Sequence, residues 1–173
     1  MLNYPFTEED SSKAYQEWGA NCGPNALAFA LQVPLENVRG LIPDFESKRY
    51  TSPSMMKAAL GVVGRTFVNN PADVANMFRL SHSETAVNLT RIQWTGPWTQ
   101  PGANRKWSYR QTHWITTWGE RHGPCREWVF DVNGGVLGFT TWKQAIVPVL
   151  TAGIPRADGG WFPTHVWRLE SAS

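Results

Sequence analysis

A cysteine, a histidine and a carboxylate can together carry out acyl chemistry, and only two cysteines, Cys22 and Cys125, occur among the 173 residues. Cys22 lies in Gln16–Ala26 (QEWGANCGPNA) and heads the run Cys22–Leu31 (CGPNALAFAL). That run reads as a helix opening near Pro24, where proline's fixed φ suits a first turn. A sulfur at a helix start meets unpaired N–H groups and the positive end of the macrodipole, and both favour the thiolate, the reacting form. Gln16, six residues upstream, can fold its amide back as a donor. With the backbone N–H of Cys22 it would form an oxyanion hole. Gly23 is expected to leave room for a substrate backbone beside the sulfur, and Trp18 to contact substrate.

A thiolate needs a proton carrier, and histidine has the right pKa. Of the four histidines, His82 lies in a polar turn (SHSE), His122 at a hairpin tip and His165 in the last strand. His113 sits inside a strongly patterned strand, a rigid mount, and neighbouring Trp114 is expected to shield it and border the substrate. Asp131 follows eighteen residues later on the return strand. Antiparallel pairing brings the two side chains within hydrogen-bonding reach if the register is right. The carboxylate would then fix the ring tautomer, a task an asparagine carbonyl could also perform.

Each residue also has a plainer reading. Cys22 could be an inert buried thiol, His113 a satisfied core histidine, and Asp131 the cap of the turn Asn133-Gly134-Gly135. Cys125 reads as a surface thiol. With His122 (HGPC) it makes one pair, short of a metal set, so neither a metal nor a cofactor is expected.

The elements that must position these groups change type midway. Helices are expected over 22–31, over 35–41, from Ser52 as N-cap and Pro53 through Val63 with Gly64 as the stop, and from Asn70-Pro71 to about Phe78. The second half favours strands: Ala86–Trp94, Arg110–Trp118, Glu127–Val132 and Thr164–Leu169 are rich in β-branched and aromatic residues. Gly119–Arg126 reads as a hairpin connection, and Thr141 as the cap of a short helix disturbed by Pro148. Thr95–Lys106 reads as a long turn-rich loop carrying Trp98, expected on the surface and in contact with substrate. Helices first and an antiparallel sheet second make a single α+β domain over residues 1–173.

The order Gln16, Cys22, His113, Asp131, with the wording NCGPNALA, resembles the papain-like cysteine peptidase superfamily. It is most similar to the compact bacterial branch that includes the double-glycine leader peptidases. The resemblance spans roughly Gln16 to Asn133. It implies a papain-like fold whose central helix is headed by the nucleophile Cys22. His113 would be general base, Asp131 its orienter and Gln16 the oxyanion donor. The transporter parts of that branch have no counterpart here, so export is not implied.

Apolar residues make up 42% and charged residues 17%, and the net charge is +2, which suits a globular chain. A protein or peptide substrate is expected. Transglutaminase-like acyl transfer uses the same three residues and is the alternative chemistry. Arg91, Arg105, Lys106 and Arg110, interleaved with Trp94, Trp98 and Trp107, raise a nucleic-acid alternative through stacking and phosphate contact, which the small net charge disfavours. The first twenty residues hold no apolar signal segment, and the longest apolar runs are too short to span a bilayer. A cytoplasmic, bacterial or phage-encoded protein with no membrane partner is the expectation. No oligomeric state is implied.

Overall fold

The computed structural model describes residues 2–80, 85–120 and 126–170. Its architecture is α+β. Six strands form one antiparallel sheet: β1 (Phe67–Asn70), β2 (Thr85–Trp94), β3 (Thr112–Glu120), β4 (Glu127–Asp131), β5 (Gly135–Gly138) and β6 (Trp161–Leu169), in the order β1-β6-β2-β3-β4-β5. The closing strand thus sits inside the sheet, between β1 and β2.

Side chains alternate across this sheet, and each face has its own apolar layer. Leu89, Trp114, Trp118, Phe130 and Trp167 face α1 (Glu8–Trp18), α2 (Cys22–Leu31), α3 (Leu35–Val38), α4 (Phe45–Lys48) and α5 (Pro53–Val62). Ile92, Ile115, Val129 and Val166 pack on the other side against Met77, Trp98, Trp142 and Val147. There lie α6 (Val74–Met77), α8 (Phe139–Thr141), a wide π-turn over Trp142–Ile146 and α9 (Val147–Ala152), while α7 (Arg105–Arg110) has no buried residue.

The helix headed by Cys22 is buried from Gly23 to Ala30, as its nearly continuous apolar sequence requires. Its small residues let β3 come close, and Thr116 Oγ1 donates to the Ala26 carbonyl at 2.7 Å. Phe29 stacks on Phe130 with centroids 4.2 Å apart, which locks the helix over the strands that carry the site. Ser52 caps α5 by accepting from the Met55 N–H.

One helix comes without a sequence expectation, and two local expectations change. Helix α1 holds only Ala14 and Trp18 buried, so its hydrophobic pattern is faint. A capping box between Thr7 and Asp10 starts it, and Glu8, Glu9 and Asp10 favour the positive helix end. The helix expected from Asn70-Pro71 reduces to α6, capped by Asp73, because Phe67–Asn70 pairs with β6 instead. The helix expected at Thr141 begins at Phe139 and widens before Pro148. Proline lacks the N–H for an i−4 bond, and its ring crowds the carbonyl four residues back.

Candidate active site

Cys22 is the first residue of α2, and Asn21 prepares its surroundings. The Asn21 side chain accepts from the Gly23 N–H at 3.2 Å and donates to the Arg49 carbonyl at 3.0 Å. Its backbone carbonyl accepts from the Asn25 N–H. Pro24 has no N–H, so among the described residues the Cys22 N–H is the first-turn donor left open to a ligand.

His113 is the second residue of β3. In the β3–β4 ladder Thr116 pairs with Phe130, so the continued register sets Ile115 opposite Asp131. His113 then lies on the diagonal to Asp131 on the same face, a spacing long side chains can bridge. The bridge is made: His113 Nε2 and Asp131 Oδ2 are 3.0 Å apart. His113 lines the same cleft as Cys22, and the two groups bias each other's ionisation. With Nε2 committed to Asp131, Nδ1 is the ring nitrogen that serves the sulfur.

Asp131 is fully buried and accepts four hydrogen bonds. Oδ2 takes His113 Nε2 and the Trp142 indole N–H at 2.9 Å. Oδ1 takes the Asn133 backbone N–H at 2.9 Å and its side-chain amide at 3.0 Å. The turn-cap and orienting readings of Asp131 therefore coexist, one on each oxygen. Nothing in the local sequence signals the part played by Trp142, since the wide turn before Pro148 brings its ring there. Four donors make asparagine a poorer match for this site than the carboxylate, because an amide offers only one acceptor atom.

The charges reinforce one another. Burial pushes the Asp131 carboxyl up, but the His113 cation and the hydrogen bonds outweigh it and hold the pKa at about 2. Burial alone would lower His113; Asp131 and the Cys22 thiolate raise it well above its ordinary value. For Cys22, burial opposes ionisation, yet the His113 charge and hydrogen bond and the Trp114 backbone N–H bring it below the usual thiol range. A thiolate–imidazolium pair is the favoured state.

Cys22 and His113 line a cleft of about 490 Å³ together with Ser11, Tyr15, Gln16 and Asn133. A neighbouring hollow of about 320 Å³ shares His113 and Asn133 and is bordered by Arg110, Val149 and Ile154. Gln16 is exposed on α1, and its amide is unengaged among the described residues.

The other expected substrate contacts lie elsewhere. Trp18 is 3% exposed and packs edge-on against Phe45, because residues two apart on a helix point in different directions and Gln16 takes the cleft side. Trp114, adjacent to His113 on a strand, faces the opposite side. Its indole donates to the Thr51 carbonyl at 2.9 Å, so its ring is turned away from the cleft. Trp98 is 6% exposed and donates to the Trp94 carbonyl at 2.7 Å. The turn signals around it describe the chain path and not burial: Gly96 is the residue whose missing Cβ admits this ring, 2.8 Å away. Gly23 likewise makes room for the Thr51 side chain, which an added Cβ would overlap, and not for substrate.

The basic–aromatic set is also dispersed, since Arg91, Trp94 and Trp98 are buried and only Trp107 of the three tryptophans is exposed. His82, His122 and Cys125 lie outside the described residues. Among those described, no three His, Cys, Asp or Glu side chains group to hold a metal ion, and no helix is long and apolar enough to cross a membrane.

No protein-family model matches the chain, and no curated protein matches it.

Proposed function

We propose that this chain is a papain-like cysteine hydrolase that cleaves an amide bond in a peptide or protein through a thioester on Cys22. The observation that carries the reading is the His113–Asp131 bond at 3.0 Å, with His113 and the Cys22 thiol lining one cleft. Sγ attacks the carbonyl carbon. The resulting oxyanion takes the open Cys22 N–H and the Gln16 amide swung over the cleft. His113, charged in the resting pair, gives its proton to the leaving amine, and the C–N bond breaks. It then takes a proton from water, whose oxygen attacks the thioester and releases the acid and the thiolate. Asp131 keeps the ring oriented and its charge compensated throughout.

The test is a proteome-derived peptide library incubated with the wild type and with Cys22→Ala. New termini should form only with the wild type. Iodoacetamide at pH 6 should alkylate Cys22 much faster than Cys125, and His113→Ala should slow the reaction at Cys22. No new termini, together with labelling indifferent to His113, would overturn the reading.

A further inference from the structure

A second hollow adjoins the catalytic cleft, and the proposed chemistry leaves it unused. It measures about 320 Å³ and shares only His113 and Asn133 with the cleft that holds Cys22 and Gln16. Those two residues therefore form the ridge between the compartments. In the proposed reaction the carbonyl sits over Cys22 and Gln16, and His113 protonates the departing nitrogen. The chain beyond that nitrogen leaves across the ridge, into the second hollow.

The walls of this hollow are of two kinds. Trp94, Val149, Leu150 and Ile154 are apolar, and Val149 stands 70% exposed, an aliphatic side chain left in water beside the site. The charged wall is Arg110, the last residue of α7 and three positions ahead of His113. Arg110 is exposed, and among the described residues no carboxylate forms an ion pair with it. No Asp or Glu lines the hollow, and α7 brings Arg105 and Lys106 but no acidic residue, so this rim carries one sign of charge. A guanidinium presents a planar fork of donors that matches a carboxylate. The volume lies near the lower limit of about 300 Å³ for small-molecule sites, which suits one residue and not a long segment.

We propose that this hollow is the leaving-side subsite, selecting a leaving segment that opens with an apolar residue and carries a carboxylate beside it. The apolar side chain fills the space against Val149, Leu150 and Ile154, and the carboxylate pairs with Arg110 at the rim. The proposal rests on the hydrolase reading and names its substrate class. The carboxylate comes either from the side chain of a following acidic residue or from the chain end of the apolar residue itself.

The probes are iodoacetyl peptides, which extend from the reactive carbon in the direction of the leaving segment. Sγ displaces iodide from the methylene carbon, so the C–S bond forms as the C–I bond breaks. Two pairs separate the sources of charge: iodoacetyl-Leu-Asp amide against iodoacetyl-Leu-Asn amide, and iodoacetyl-Leu acid against iodoacetyl-Leu amide. Alkylation of Cys22 is followed by peptide-level mass spectrometry. On the wild type at low salt, the charged member of at least one pair should react about two- to fivefold faster, the scale of a solvent-accessible ion pair. The pair that responds identifies the source. Iodoacetyl-Ser-Asp amide should react about tenfold more slowly than its Leu counterpart, which buries an apolar side chain. In Arg110→Glu the charged-to-neutral ratio should drop below one, because the rim then repels the carboxylate. Ratios taken within one protein cancel any change in thiolate reactivity.

Should Arg110→Glu not fold, the wild type decides alone. Raising salt to about 1 M shortens the screening length to about 3 Å, and the charged-to-neutral ratio should fall toward one. Ratios near one in both pairs at low salt, a ratio that Arg110→Glu or salt leaves unchanged, or equal rates for the Leu and Ser probes overturns the proposal. If iodoacetamide labelling of Cys22 is still slowed by His113→Ala, the hydrolase reading stands without it. Labelling indifferent to His113 would fail that reading instead.

Discussion

Replacing Asp131 by asparagine removes one charge and little volume, so it isolates what the carboxylate does. Four N–H groups point at its two oxygens, at 2.9–3.0 Å. An asparagine must aim its NH2 at one pair of them. Turned toward His113 and Trp142, it would face an indole that can only donate. Turned toward Asn133, it leaves that residue's backbone N–H opposed, although the Asn133 side-chain amide can flip. The second choice costs less, and a buried donor left unmatched costs about 1–3 kcal/mol.

The lost charge gives a second, overlapping measure. A carboxyl held at about 2 instead of 3.8 is favoured in its ionised form by roughly 2 kcal/mol at 1.36 kcal/mol per unit. If His113 forfeits that support when it carries the proton, turnover of a library peptide should fall about thirtyfold. The melting temperature should drop with it. Asp131→Ala should lose more, because it abandons all four donors. The assays are cleavage rate at pH 7 and thermal unfolding, both on purified variants. An Asp131→Asn protein with wild-type turnover and melting temperature would refute the four-donor account.

Trp98→Ala should destabilise by about 3–5 kcal/mol, the cost of emptying a buried tryptophan site, and thermal or urea unfolding checks it. Gln16→Ala should slow peptide hydrolysis roughly 10²–10³-fold, far more than it slows iodoacetamide alkylation, which forms no oxyanion. Stability should have two pH edges. The Asp131 contribution, present above its unfolded pKa of about 3.9, is lost as pH falls toward 2. The His113 contribution, present below about 6.5, is lost as pH rises through its elevated folded pKa. Urea unfolding across pH should show both edges in the wild type and a weaker acid edge in Asp131→Asn. Millimolar cadaverine should divert little of the acyl-enzyme from hydrolysis, as mass spectrometry of the products would show; dominant amine adducts would favour acyl transfer.

Much of this arrangement is legible in the chain itself, wherever the signal is local. Pro24 behind Cys22 and the apolar run to Leu31 announce a buried helix with the sulfur at its head. The β-branched and aromatic runs around His113 and before Asp131 announce strands, and the short link between them makes those strands neighbours. Helix α1 is less visible, because a capping box and an acidic first turn hold it with only two buried residues, Ala14 and Trp18.

Only the tertiary structure decides what each ring and oxygen meets. Register sets His113 diagonal to Asp131. A widened turn before Pro148 delivers Trp142 to the same carboxylate, and packing draws Trp18, Trp98 and Trp114 inward although their local sequence allowed a place in the cleft. Period and capping are written in neighbouring residues. Contacts between residues far apart, such as the 63 positions separating Thr51 from Trp114, depend on how closely helix and sheet approach. That distance is set by side-chain volumes summed over the whole interface, down to the missing Cβ of Gly23 against Thr51.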